Sequence, residues 1–305
     1  MVAWGEHIAN ANRPMCAYLL IVHTLAVMAL GYITSCKWET LLFTFVIAEL
    51  SGLGITGGAH RLWSHRSFKA HWTVRFFLML CNSIANQGTI YHWSRDHRVH
   101  HKYSETEADP HNAMRGLFFA HMGWLLVKKD PKVIEAGNKL DCSDLLKLWE
   151  VRLQIFLNPW GNLFMSFVFP TIVPVYYWQE NWLNAMLVAG FLRYTFILHC
   201  TWLVNSVAHF YGETPYDPTI NPTENVIVAI LAIGEGWHNW HHVYPYDYAA
   251  SEFGITQQFN PTKVFIDGCA KLGLVTDRKR ATQAWEQKKL KLAAVAKNAE
   301  KEKTY

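Results

Sequence analysis

Four apolar blocks restrict the fold of this chain more than any other feature. Residues 16–34 (CAYLLIVHTLAVMALGYIT) and 162–178 (NLFMSFVFPTIVPVYYW) carry no formal charge. Residues 41–59 (LLFTFVIAELSGLGITGGA) carry only Glu49, and 182–204 (WLNAMLVAGFLRYTFILHCTWLV) only Arg193. Each approaches the roughly 20 residues a helix needs to cross a bilayer core. The alternative, buried helices of a soluble protein, does not explain such lengths together with the one-sided charge described next. The connections SCKWET and QEN are short, so the blocks pair into two helical hairpins. The chain is expected to be an all-α integral membrane protein with four transmembrane helices.

Charge then orients the hairpins. Cytoplasmic loops are enriched in Lys and Arg. The two short connections contain only Lys37, and nearly every other basic residue lies before the first block, between the hairpins or after the fourth block. Both termini and the long central segment are therefore expected to face the cytosol. Two further apolar stretches, 74–85 and 226–234, are too short to span and are expected as interfacial or buried helices. With 51% hydrophobic and 17% charged residues, the chain is too apolar for an ordinary soluble domain and too charged to lie wholly in a membrane. Six scattered cysteines without a CxxC pair suggest reduced thiols. No cleavable leader pattern is evident, so the first block is expected to act as an uncleaved anchor. The net charge of +4 is small and no nucleic-acid motif occurs.

The second constraint is histidine. Eight of sixteen histidines lie in three short runs: His60 and His65 in HRLWSH, His97, His100 and His101 in HRVHH, and His238, His241 and His242 in HNWHH. His209 closes NSVAH and is a further candidate. Imidazole is the commonest side-chain metal ligand. Residues three and four apart share a helix face, which groups the members of the second and third runs. His60 and His65 are five apart, about 140° out of register on an α-helix, so they are expected to straddle a helix end. Nine imidazoles exceed the needs of one metal and suit two. Catalytic zinc uses three protein ligands and a water, and the paired Glu-x-x-His motif of carboxylate-bridged di-iron bundles is absent. A nearly all-histidine dinuclear site at a membrane surface points to oxygen activation on iron. Neutral ligands leave the metal charge uncompensated, so carboxylates are expected to orient the imidazoles from behind. Asp96, Glu105, Asp109 and Glu235 are the candidates. For any one of these residues, a solvated acid or a packed histidine is the plainer reading; the three runs together exceed it.

HRLWSH, YHWSRDHRVHHKYSETEADPHN, NSVAHFYG and GEGWHNWHH, in this order from about residue 13 to about 275, resemble the membrane acyl-CoA desaturases of the stearoyl-CoA type, close to the insect forms. The resemblance implies a single desaturase domain over 1–305. A four-helix stem would stand in the endoplasmic reticulum membrane under a helical cytosolic cap of about 60–160 and 205–278, with a charged tail at 279–305. It implies two irons. His60, His65, His97, His101 and His241 would hold one; His100, His209, His238 and His242 would hold the other, with Asn205 completing it through a water. His23, His71, His92, His111, His121 and His199 match no ligand position.

For the substrate, the resemblance implies a long-chain saturated acyl-CoA. Gln87, Trp93 and Trp202 would line its tunnel near the metals, and Ala48 and Gly52 would leave room at the far end. Arg95, Asp96, Lys128 and Lys129 would lie near the polyanionic CoA head; as surface charges alone they would look no different. Dioxygen and two electrons would enter, and a cis double bond and water would leave. No haem-binding HPGG segment occurs, and no bound haem or flavin is expected, so electrons would come from cytochrome b5 and its NADH-dependent reductase. Δ9 is the expected position, and INPTEN (220–225) resembles the Δ9 group; insect relatives acting elsewhere, such as at Δ11, have nearly the same boxes. A histidine-box fatty acyl hydroxylase and, from another class, a histidine-rich metal transporter are the competing readings. Transporters place ionisable groups near mid-membrane, whereas these runs follow the apolar blocks.

Overall fold

The computed structural model describes residues 10–302, with side chains to residue 294. The chain ends, expected on the cytosolic side, lie outside these residues at 1–9 and 303–305. The first long helix, α1 (Arg13–Leu30), starts where the Asn12 side chain accepts the Met15 N–H and Pro14 fits the first turn, and it stops at Gly31. After a single 3₁₀ turn comes α2 (Trp38–Leu53), which continues without a break into a π-helical run, Gly54–Ser64. Next come α3 (Trp72–Ala85) and α4 (Ile90–Tyr103), and the third apolar block ends in α5 (Phe169–Trp178). A π-helical stretch, Ala185–Leu192, leads into α6 (Arg193–Asn205), followed by the short α7 (Val207–Phe210). Last come α8 (His238–Val243), α9 (Pro261–Lys271) and α10 (Thr282–Glu302).

Three helical runs are long and apolar enough to cross a membrane: Arg13–Leu30, Trp38–Ser64 and Trp182–Phe210. They correspond to the first, second and fourth apolar blocks, with the second extended at both ends and the fourth extended past its C-terminal end to Phe210. The third block is also helical, but it is assembled from Trp160–Leu163, a π-helical Phe164–Val168 and α5. Pro170 and Pro174 each remove a backbone donor from it. Large apolar side chains such as Leu20, Val27, Phe45 and Ile172 point outward from these runs, more than half exposed. That arrangement suits a hydrocarbon solvent and would be a liability in water.

The turns of the two hairpins meet at one end. Glu180 accepts the Lys37 N–H at 2.7 Å, the Thr40 hydroxyl at 2.6 Å and the Asn181 N–H at 2.8 Å. Arg193, the one charge of its block, is buried and spends its donors on the carbonyls of Ala189, Ile84 and Ser166. Three histidines outside the clustered runs form a line of their own. His23 Nε2 lies 3.1 Å from His199 Nε2, and His199 Nδ1 lies 2.9 Å from His121 Nε2. All six cysteines are free.

Under the histidine runs lies a core of Trp63, Phe68, Leu78, Ile90, Leu145 and Ile266. Burying each such side chain stabilises the fold by roughly 1.5–3 kcal/mol. A two-stranded antiparallel ribbon, β1 (Lys69–Ala70) with β2 (Val275–Thr276), pairs Lys69 with Thr276 and Ala70 with Val275, and so ties the loop after His65 to the chain leaving α9. The start of α10 is anchored rather than solvated: Ala281 and Trp285 are buried against Tyr216, Trp240 and Tyr244.

Candidate metal centre

Local winding brings His60 and His65 together. Residues Gly54–Ser64 are π-helical, and the His65 N–H bonds to the His60 carbonyl at 3.1 Å, an i→i+5 closure. A π-turn superposes residues five apart, where an α-turn superposes those four apart. The two do straddle a helix end, His60 inside the run and His65 capping it, and the wide winding brings their rings to 4.9 Å. On α4, His97 and His101 share one face, while His100 points to a neighbouring group; on α8, His238 and His242 share a face and His241 points the other way.

Two groups result. His60, His65, His97, His101 and His241 can each offer one nitrogen, all within 4.8 Å of one another, and so can His100, His209, His238 and His242. Within the first group, Nε2 atoms are separated by 3.0 Å (His60–His241), 2.8 Å (His65–His97) and 3.0 Å (His101–His241). Within the second they are separated by 3.1 Å (His209–His238), 3.1 Å (His238–His242) and 3.4 Å (His100–His242). Two imidazole nitrogens bound at about 2.1 Å and at right angles around one metal would be about 3.0 Å apart. The donor sets thus fit two metal ions side by side. Asn205 lines the cavities beside both groups.

Burial, reinforced by the neighbouring imidazoles, holds His65, His97, His101, His238, His241 and His242 well below the usual histidine range. They are neutral at physiological pH, with lone pairs available. Three carboxylates then select which nitrogen keeps its proton. Glu235 Oε2 lies 3.0 Å from His60 Nδ1, both Asp109 oxygens lie 3.0 Å from His100 Nδ1, and Glu105 Oε1 lies 3.4 Å from His209 Nδ1. A carboxylate on Nδ1–H leaves Nε2 free to ligate. Burial alone would raise the Asp109 carboxyl, but the facing His100 and His111 rings hold it below the carboxylate range. Burial likewise opposes ionisation of Glu235, and Arg61 followed by His60 overcomes it.

Asp96, the fourth acid proposed for this role, does not orient an imidazole. It pairs with Arg95 at 3.0 Å and with Lys129. One residue before His97, it is rotated by about 100° around the helix, away from the cluster. Arg61, which the sequence did not single out, and His111, which matched no ligand position, are part of the surround. Arg61 is buried and donates to Glu235 at 2.9 Å and to the Ala249 carbonyl at 2.9 Å. His111 is buried with its ring 4.3 Å from that of His100, and burial lowers it to about 3. Its place in DPHN, two residues after Asp109, was the available signal.

Two cavities meet at the histidines, sharing Trp93, His97, Thr201 and Asn205. The larger, about 460 Å³, is lined by Gln87, Trp93 and Trp202 and reaches Asp96 and Lys129. The smaller continues between the second and fourth apolar blocks past Ala48, Gly52, Phe196 and Val204. Trp93 stacks on His97 at 5.0 Å and donates to Gln87, which in turn donates to the Thr201 hydroxyl at 2.9 Å. Arg95 stands beside Asp96, and the Lys128 N–H bonds to the Asn10 carbonyl at 2.8 Å.

Comparison with known proteins agrees with this geometry. The family model described as "Fatty acid desaturase" matches residues 37–250. Stearoyl-CoA desaturase 5 of Bos taurus is 55% identical over 263 residues, covering 86% of this chain and 78% of the relative. Acyl-CoA Delta-9 desaturase of Acheta domesticus is 51% identical over 261 residues, covering 84% and 71%. Stearoyl-CoA desaturase of Homo sapiens is 50% identical over 264 residues, covering 87% and 73%.

Proposed function

The chain belongs to the fatty acid desaturase family, and from that premise we propose that it is an acyl-CoA Δ9 desaturase. It takes a saturated long-chain acyl-CoA, dioxygen, two electrons and two protons, and returns the cis-unsaturated acyl-CoA and two waters. The observation that carries this reading is the meeting of nine imidazoles, in groups of five and four, at the junction of two cavities.

Two irons, bound by these groups, would supply the oxidising power that an unactivated methylene requires; no acid or base in the chain can ionise such a carbon. The residues of the chain do the rest. His60, His65, His97, His101 and His241 hold one ion, and His100, His209, His238 and His242 hold the other with Asn205 beside it. Glu235, Asp109 and Glu105 fix the imidazole tautomers. Gln87, Thr201 and Trp93 form a hydrogen-bonded turn in the wall where the cavities meet. A chain bent there has one carbon pair presented to the metals, which sets both bond position and cis geometry. Arg95, Asp96, Lys128 and Lys129 serve the CoA head, Lys as a point charge for phosphate.

The setting follows the same reading. The third apolar block completes a four-helix stem in the endoplasmic reticulum membrane, and the cap with its metal centre faces the cytosol. Cytochrome b5 and its NADH-dependent reductase deliver the electrons, with basic cap residues docking the acidic carrier; reduction should slow as salt rises. Expression in desaturase-deficient yeast, with gas chromatography–mass spectrometry of dimethyl disulfide adducts, tests the function. Palmitoleate and oleate are expected. A hydroxy acid, a double bond elsewhere, or metal transport without oxygen consumption would each overturn it.

A further inference from the structure

Glu49 is the one formal charge in its apolar block and sits in mid-span, eleven positions before His60. It is partly buried and lines the smaller cavity, whose other end is formed by His60, His97, His100 and His238. Among the described residues, its carboxyl has no hydrogen-bond or ion-pair partner. The neighbouring wall is apolar, with Ala48, Gly52, Phe196 and Ile197. The other polar groups there are largely engaged: Thr56 bonds to Thr262, and Thr201 bonds to Gln87 and the Ile197 carbonyl. An ionisable group in the middle of a span is costly and marks a functional position unless something pairs with it.

We propose that Glu49 determines which acyl tails the cavity accepts, and that acyl-CoAs bearing a terminal hydroxyl are a substrate class of this enzyme. This rests on the desaturase reading, in which the larger cavity takes the CoA-proximal half of the chain and the smaller one the tail. An alkyl terminus that reaches Glu49 strips the carboxyl of other contacts and offers none in return. A terminal hydroxyl satisfies it. Discrimination of this kind is steep because the penalty falls on the substrate that lacks the partner.

The test uses the full-length enzyme in nanodiscs with cytochrome b5 and its reductase, given stearoyl-CoA and 18-hydroxystearoyl-CoA in competition. The readout is the ratio of the two unsaturated products. We expect Glu49→Val to shift that ratio toward the plain chain by on the order of 10-fold, the size of one buried polar hydrogen bond. Glu49→Gln, which retains a hydrogen-bonding group, keeps the wild-type ratio within a few-fold. An equal ratio in wild type and Glu49→Val overturns the proposal. Should Glu49→Val fail to accumulate, the wild-type ratio decides: preference for the plain chain overturns the proposal. Failure of the wild type to desaturate stearoyl-CoA at all is a different outcome, because it removes the desaturase reading itself.

Discussion

Asp109 and Glu235 stand behind different metal groups, so removing each charge should loosen a different ion. Asp109 places both oxygens 3.0 Å from His100 Nδ1, in the group of four, and also accepts the backbone N–H groups of Glu105 at 2.9 Å and His111 at 3.1 Å. Glu235 lies 3.0 Å from His60 Nδ1, in the group of five. Asp109→Asn and Glu235→Gln keep the shape and remove the charge. A buried hydrogen bond to a charged group contributes about 1.5–3 kcal/mol. At 1.4 kcal/mol per factor of ten, that is roughly 10–150-fold in metal affinity, in line with the 10–100-fold typical of groups behind a ligand. The assay is iron content by mass spectrometry after equilibration with graded chelator. Wild type should lose two irons at similar chelator strength, whereas each variant should lose one iron early and retain the other. Mössbauer or electron paramagnetic resonance spectra should show the two variants depleted at opposite sites. If either substitution lowers both irons together, or neither, the partition of ligands into five and four is refuted. Glu235→Gln carries an added expectation. Arg61 is left buried without its carboxylate, which typically costs about 3–5 kcal/mol. That variant should therefore also melt earlier, and Asp109→Asn less so.

Other expectations follow from single sites. His97→Ala or His242→Ala should abolish unsaturated product in the yeast assay while leaving membrane insertion intact; surviving product would refute the metal reading. Ala48→Trp should shift use toward chains shorter by two or more carbons, measured by product profiles. An unchanged profile would mean that the smaller cavity does not hold the tail. Burial, with Glu252 and Glu213 nearby, pushes the Glu224 carboxyl from 4.5 up to about 8. The folded protein then keeps a proton that the unfolded chain has lost, so stability falls as pH rises from about 4.5 to about 8 and levels off above. Glu224→Gln removes that slope, so its melting temperature should exceed the wild type's by a margin that widens across this window. A constant margin would refute it.

The sequence made some of this visible, for clear physical reasons. Long uncharged blocks reveal membrane helices because a bilayer tolerates no alternative. HxxHH on a helix predicts that histidines four apart share a face, as His97/His101 and His238/His242 do. The expectation that all three of each run point one way fails, because His100 and His241 each turn to the other group. The π-winding of Gly54–Ser64 was hidden: apolar periodicity cannot separate 3.6 from wider turns over so short a run, and only the i→i+5 closure at His65 reveals it. The third block looked like its neighbours, but prolines and a change of winding divide it. Among the four acids, only contact in three dimensions separates Glu235, beside His60, from Asp96, beside Lys129. Arg61 went unnoticed, and His111 was set aside as matching no ligand position, because burial is a property of the folded chain; only the spacing of His111 from Asp109 hinted at its place.

The wide winding begins at Gly54, well before the histidines it serves. The second membrane helix is thus a screw whose pitch changes partway along its length. Its first half keeps the ordinary thread, while the half that carries the histidines has a smaller angular step per residue, so every side chain after the change is counter-rotated relative to the first half. Glycines make the change possible by letting a neighbour close in: a methyl at Gly54 would lie 2.2 Å from the Asn82 nitrogen on α3, and one at Gly58 would lie 2.8 Å from the Trp63 ring. The torsional setting of the first histidine box is therefore held by backbone contact with α3, and a one-carbon intrusion at Gly54 would unlock it without touching any imidazole.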